Sequence, residues 1–588
     1  MSRRIAAAGL AFVLTAALRF LNSATAFEGG FPQIRLLDDL YHLKRMTYSA
    51  ANFPRVLEFD PDRGERGAFC PWPPFYDVAA GGVARTFGAT GIFDVLSIVV
   101  WIPPLVTATF LALLTFVLWP RAPLAAIVAA LTIAMSPSPI VESWIGSIDH
   151  HFLEPPIVLA MIGAVVLVVR SDSQRELRAG LLLGVAMTLA MFTQAALLLG
   201  CGLAFAICFF AGRARATAVA SALTALALVL YRLTCDPAMP NNAWFVGWPH
   251  AAIFFGACVA SLIAWRMHTR TTIARIAAGV AGSVATLLIP GMVRVVLTGS
   301  TFLGGDPLMA RVKELQPIWT LTGRPLWIFF GGLIAGAILT IPLLMRGVRR
   351  REAWSIAIAC FALFYFTVAM TSLRFTLIAT CVLAVAGGVC AEMWRRDGRR
   401  NVAIAMAIAM ILPAFATLIL FLNSGLPHPL AGMSEPLQVA GFLRRANVKH
   451  ERVLAPWMWG HAINVIGGSP VITDNFGTMP DEDAFRRAQL KLLTGNEREL
   501  AAYCRRLGIR FIVLSPPPAG IAETGLGIGM PLDAFVQNDM LTPRTTSTWW
   551  WQAWQRFPTP TREFASAFET RDGSVRVWRL VDDSPRQR

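Results

Sequence analysis

Stretches of about twenty residues with almost no charge recur from one end of this chain to the other. A helix rises about 1.5 Å per residue, so a run of about 20 apolar residues spans a hydrocarbon core roughly 30 Å thick. Backbone groups inside that core must be satisfied internally, which leaves helices as the only element such runs can form. Composition agrees: 15% of the 588 residues are charged, well short of the quarter (about 25%) usual in soluble proteins, and mean hydropathy is +0.55. The chain reads as a polytopic α-helical membrane protein. Its first run, AAAGLAFVLTAALRF, follows Ser-Arg-Arg and has the outline of a signal peptide. No small-residue cleavage site opens onto a soluble domain, so the run is assigned as the first span.

Thirteen spans fit, at roughly 6–26, 90–118, 122–140, 154–170, 178–195, 196–211, 215–232, 248–265, 275–297, 326–345, 353–370, 371–391 and 401–423. Arginines recur at every second boundary: Arg3 and Arg4, Arg121, Arg170, Arg213 and Arg215, Arg266 and Arg270, Arg346 to Arg351, and Arg395 to Arg400. Short loops rich in Lys and Arg stay cytoplasmic, which places the amino terminus inside. Much of the net charge of +16 is therefore topology signal, and basic residues spread over separate loops make no nucleic-acid footprint. On the outer face lie a loop from about 27 to 89, a short segment around 141–153, a loop from about 298 to 325, and the polar C-terminal region. Residues 1–430 thus form the membrane domain and 431–588 a mixed α/β soluble domain, with a helix over EPLQVAGFLRRA and strands at ERVLAP and GIRFIVLSPP.

Carboxylates mark three of those outer pieces. LLDDLYHLKRM carries Asp38 and Asp39, SIDHHFLEPP carries Asp149, His150, His151 and Glu154, and ARVKELQP carries Glu314. Divalent cations take carboxylate oxygens, with or without imidazole, from separate segments brought together. In an extended segment Asp149 and His151 point to one side and His150 faces away. Taken singly, an outer aspartate is more often solvated, and a histidine beside a span is often a hydrogen-bonded boundary residue. Glu154 starts a span, where a carboxylate suits the helix dipole. Arg374 sits near the outer start of a span, where either a phosphate partner or snorkelling to the interface would satisfy its guanidinium.

These motifs resemble the catalytic subunit of the oligosaccharyltransferases, in its single-subunit bacterial and archaeal branch, over nearly the whole length. DDLYHLKRM followed by CPWPPFYD is similar to the family's first outer loop, SIDHHFLE to its Asp-x-Asp or Asp-x-His motif, and VKELQP to its Glu motif. SLRFTL resembles the segment carrying its pyrophosphate-binding arginine, and PWMWGHAINVIGGSPVITDNFG its acceptor-recognition motif Trp-Trp-Asp-Tyr-Gly. The resemblance implies a GT-C-type glycosyltransferase architecture in which Asp38, Asp149, His151 and Glu314 hold Mn2+ or Mg2+. It implies catalytic roles for Asp38, Glu314 and Asp149, donor pyrophosphate contacts from Arg374 and His42, and acceptor recognition by Trp457, Met458 and Trp459. For His42 a loop-packing role is the alternative, and for the tryptophan pair domain packing.

The implied activity is transfer of a glycan from a polyprenyl-(pyro)phosphate donor to a polypeptide asparagine, at the outer face of a bacterial cytoplasmic membrane. The implied partners are that donor, a polypeptide or other glycan acceptor and the lipid bilayer, without nucleic acid or obligate subunits. The C-terminal domain is then periplasmic. One departure stands out: Pro456 occupies the motif's first Trp position and Met458 its Asp position. A thioether is a weak acceptor, so strict reading of a Ser or Thr hydroxyl is expected to relax unless Asp474 or Asn475 folds back to replace it. A lipid-phosphate-dependent transferase of the same architecture, acting on a lipid, polysaccharide or hydroxyl acceptor, is the alternative. A transporter would instead gather ionisable groups at mid-membrane.

Overall fold

The computed structural model describes residues 1–27, 32–35, 37–267, 271–301, 308, 312, 315–424, 434–537 and 540–581. Among them, nine helices are long and apolar enough to cross a membrane: Ile92–Leu118, His150–Arg170, Glu176–Thr193, Ala214–Thr234, Trp248–Arg266, Leu326–Arg350, Ala353–Thr371, Leu373–Arg396 and Arg400–Asn423. Each coincides with one of the thirteen expected spans. The other four expected spans fall short for physical reasons. Pro123–Met135, Ala195–Phe210 and Thr272–Leu287 are shorter apolar helices, and the 13 residues of Pro123–Met135 rise only about 20 Å. Ser2–Arg19 carries three arginines in 18 residues. Its last one, Arg19, is fully buried, with Nη1 donating to the Ala134 carbonyl at 2.8 Å.

Proline sets where several helices begin. Its missing N–H and fixed φ suit a first turn, and Pro155 opens the helix Glu154–Arg170 directly behind Glu154. The residues just before it, His150–Leu153, form a short 3-10 turn rather than an extended strand. A second break falls at Gln194, whose extended backbone (φ −158°) ends Glu176–Thr193 before Leu198–Phe210 starts. A third is the 3-10 turn Leu373–Phe375, between Ala353–Thr371 and Thr376–Arg396.

In the first outer loop, Leu37–Asn52 packs against Phe75–Thr86. The C-terminal domain holds a four-stranded sheet in the order Arg452–Leu454, Ile509–Leu514, Arg576–Leu580, Phe564–Glu569. The first pair is parallel and the other two antiparallel. The expected helix appears as Ser434–Ala446, and both expected strands form. The proposed boundary at 430/431 lies outside the described residues.

Loop and domain are stitched together. Val471 donates its N–H to the Asp62 carbonyl at 2.8 Å, extending a parallel bridge between Arg63 and Val471. Buried Arg63 grips Asp474 with both Nε and Nη2. Lys44 Nζ reaches Asp60 and Asn464, each at 2.8 Å. The loop and the C-terminal domain thereby meet beside Leu37–Asn52.

Candidate functional site

Leu37–Asn52 buries most of its circumference, and Tyr41, His42, Arg45, Met46 and Ser49 share one of its buried faces at i, i+1, i+4, i+5 and i+8. His42 therefore points inward, and three other segments meet it. His42 Nδ1 lies 2.6 Å from Asp77 Oδ1, in the helix Phe75–Thr86, and Asp77 is in turn held by buried Arg45. The Trp72 ring stacks on the imidazole, with centroids 4.0 Å apart and planes 7° apart. On the other side, His42 Nε2 lies 3.1 Å from Asp149 Oδ1 and 3.1 Å from His150 Nδ1.

His150 departs from expectation. It does not face away: its Nδ1 is 2.7 Å from Asp149 Oδ1, and its Nε2 is 2.8 Å from Gln194 Nε2. The reason is the 3-10 turn. At about three residues per turn, neighbouring side chains diverge by about 120°, so the strict in-out alternation of a strand does not apply. His151 turns to the opposite side of the same carboxylate, with Nε2 3.4 Å from Asp149 Oδ2 and Nδ1 2.8 Å from Glu154 Oε1. Glu154 is more than a cap: it is 1% exposed and also lies 3.6 Å from Arg374 Nη2. That guanidinium is 3.4 Å from His151 Nδ1.

Burial alone would raise the Asp149 carboxyl, but the His151 and His150 imidazoles and the His42 hydrogen bond hold it well below the usual carboxylate range. Burial would lower His42, yet the Asp77 carboxylate, with help from Asp149, pushes it up to about 9. Two groupings bring three ligand atoms within 4.8 Å of one another: His42, Asp149 and His150, and His150, His151 and Glu154. Mixed carboxylate and imidazole donors of this kind suit a divalent cation.

Asp38 is in neither grouping. It occupies the first turn of Leu37–Asn52, one turn before His42, with its side chain 41% exposed and Oδ1 3.7 Å from His461 Nε2. His461 is fully buried against Tyr41 and Phe476, and burial pushes it down to about 3, so it stays neutral. Glu314 lies outside the described residues. Trp457 packs with Leu308, Phe485 and Ile528, whereas Met458 and Trp459 pack into the core cluster of the C-terminal domain that includes Val439 and Val453. Asp474, the alternative acceptor group, is committed to Arg63.

A cavity of about 390 Å3 opens beside the cluster. Its lining is mainly apolar, with Leu198, Trp244 and Val295, and Trp72, Gln194 and Arg374 lie at its polar edge. Asp77, Gln194 and His461 were not singled out from sequence as site residues, and Glu154 was noted among the outer carboxylates but read as the cap of a span. Only Glu154 left a usable signal there, its i+3 spacing from His151 at a helix start.

No family model matches the chain, and no curated protein matches it. Solved structures do. The archaeal oligosaccharyltransferase AglB from Archaeoglobus fulgidus, in complex with an inhibitory peptide and a dolichol-phosphate, superposes with a TM-score of 0.79 at 16% identity, covering 96% of this chain and 79% of that one. The Archaeoglobus fulgidus oligosaccharyltransferase in complex with Zn and sulfate gives 0.73 at 17% identity, with coverage of 96% and 79%. The same organism's enzyme tethered to an acceptor peptide containing the NVT sequon gives 0.76 at 16%, again covering 96% and 79%. At such identities the likeness is one of fold.

Proposed function

We propose that this chain transfers a glycan from a polyprenyl-(pyro)phosphate donor to an asparagine amide of a polypeptide, at the outer face of a bacterial cytoplasmic membrane. The observation that carries this reading is the position of Arg374. It lines the apolar cavity and also lies within 3.6 Å of the buried His151 and Glu154 pair. A prenyl tail in the cavity would set its phosphates beside a guanidinium and a cation-competent cluster. On this reading the three shorter apolar helices and Ser2–Arg19 also lie in the bilayer, completing thirteen spans, and the C-terminal domain is periplasmic.

The chemistry is a single displacement. The acceptor nitrogen bonds to the anomeric carbon, the C1–O bond breaks, its electron pair leaves with the diphosphate, and the amide gives up a proton. Asp149 and His151, with Asp38 and Glu314, would hold Mn2+ or Mg2+, which would supply positive charge for the leaving group. Arg374 adds a fixed positive charge to the same oxygens, whereas His42 stands on the other side of Asp149, between Asp77 and Asp149 Oδ1. Asp38 and Glu314 accept from the amide N–H groups and orient the nucleophile. One displacement inverts the anomeric centre.

A second reading has its own support. With half-buried Met458 packed against the domain core and Asp474 gripped by Arg63, the acceptor motif offers no carboxylate at its aspartate position. That favours a lipid, polysaccharide or hydroxyl acceptor for the same donor chemistry. The purified protein should be given a lipid-linked sugar, Mn2+ or Mg2+, Asn-x-Thr and Asn-x-Ala peptides, and free lipid acceptors. Metal-dependent labelling of Asn-x-Thr supports the first reading. Labelling of lipid alone replaces it with the second, and no transfer to any acceptor rejects both.

A further inference from the structure

Asp149 presents its two oxygens to two different sets of partners. Oδ2 faces His151, the side that the proposed reaction uses, whereas Oδ1 faces His42 and His150. We infer that His42 Nε2, His150 Nδ1 and Asp149 Oδ1 form a second divalent-cation site, selective for Zn2+ over Mg2+, with Asp149 bridging it to the first. This goes beyond the proposed function and rests on that reading only in naming the other side of Asp149 as the reaction's side.

The geometry is that of a ligand triangle. Its edges are 2.7, 3.1 and 3.1 Å. A tetrahedral ion with bonds of about 2.0–2.1 Å holds its ligand atoms roughly 3.3 Å apart, so two edges need open by about 0.2 Å and the third by about 0.6 Å. All three residues are buried.

What stands behind the ligands makes the same point. A metal-bound histidine usually gives its other ring N–H to a carboxylate or carbonyl, which fixes the tautomer and the ring direction. His42 has that arrangement: Nδ1 meets Asp77 at 2.6 Å, Arg45 anchors Asp77, and the Trp72 stack fixes the ring plane. His150 has its counterpart in the Gln194 side-chain amide, 2.8 Å from Nε2: turned end for end, that amide offers its oxygen to the Nε2–H and leaves Nδ1 as the lone-pair nitrogen facing the triangle. A simple hydrogen-bonded bridge from His42 to Asp149 would need one ring. Two separately supported rings converge on one carboxylate oxygen. Two imidazoles with a single carboxylate suit Zn2+ and neighbouring transition ions, while Mg2+ prefers oxygen ligands throughout.

The full-length protein in detergent should be stripped with a chelator, reloaded with Zn2+ alone and assayed for bound metal and Zn K-edge X-ray absorption. The expected result is a bound ion whose shell contains two imidazoles. His42→Ala and His150→Ala should each remove that ion, and Gln194→Ala, which keeps all three ligands, should weaken it roughly 10- to 100-fold. A shell with one imidazole or none, or Zn2+ content unchanged in both histidine variants, overturns the site. The wild-type spectrum needs no variant, so a shell with one imidazole or none decides against the site even if a variant fails to fold; a two-imidazole shell that survives in His42→Ala places the ion on His150, His151 and Glu154 and overturns the site as well. Glycan transfer without such an ion would sink this inference alone; the ion without transfer to any acceptor would sink the proposed function alone.

Discussion

Asp77 shows how much of a site depends on a residue that touches neither cation nor substrate. It fixes His42 from behind and is the buried counter-charge of Arg45. Asp77→Asn keeps the shape but loses the charge. Cation affinity should fall about 10- to 100-fold in a metal titration, as second-shell losses typically do, and an unchanged affinity would deny Asp77 that role. Asp149→Asn is the harsher change: glycan transfer should vanish even in saturating metal while the protein still elutes as a folded species. At this scale the sequence was legible where neighbours in the chain are neighbours in space, as with Asp149 and His151, two positions apart and 3.4 Å from carboxylate to imidazole. It was illegible where partners come from distant segments. Nothing in the spacing of Asp77 or Gln194 announces His42 or His150, and His150 was sent the wrong way because a turn was read as a strand.

Small residues decide how the spans pack. Gly180 and Gly184 repeat at i, i+4 on Glu176–Thr193 and press against Ala216 and Ala220 of Ala214–Thr234. A Cβ on Gly180 would sit 2.8 Å from the Ala216 carbonyl oxygen, closer than real contacts allow. Such small-xxx-small faces let helix backbones approach where the hydrophobic effect gives no drive. Gly180→Val should therefore cost roughly 1–3 kcal/mol, seen as a lower thermal midpoint in detergent. Gly163→Ala, with open space around its Cβ position, is the control and should leave the midpoint unmoved. Periodicity and hydropathy located these helices well, because a bilayer imposes length and apolarity on each one separately. Where a helix is short or carries arginine, as Pro123–Met135 and Ser2–Arg19 do, its place depends on neighbours that a single-chain pattern does not display.

For the molecule as a whole, alternating arginines predict sidedness. Reporter fusions at Arg351 and at Arg571 should read inside and outside; the same compartment for both would break the thirteen-span topology. Strand order in the C-terminal domain was not derivable, since the partner of Ile509–Leu514 on one side, Arg576–Leu580, is fixed by long-range pairing. The Arg63 and Asp474 pair adds a dependence of its own. Removing one partner of a buried ion pair costs about 3–5 kcal/mol, so Asp474→Asn should make the first outer loop a target in limited proteolysis that leaves the wild type intact. The same two residues stand 411 positions apart. At ribosomal speeds of about 5–20 residues per second, Arg63 is made roughly 20 to 80 s before its counter-charge exists. Throughout that interval the newborn loop has emerged without its clamp, and a domain synthesised long after the loop is the one that closes it.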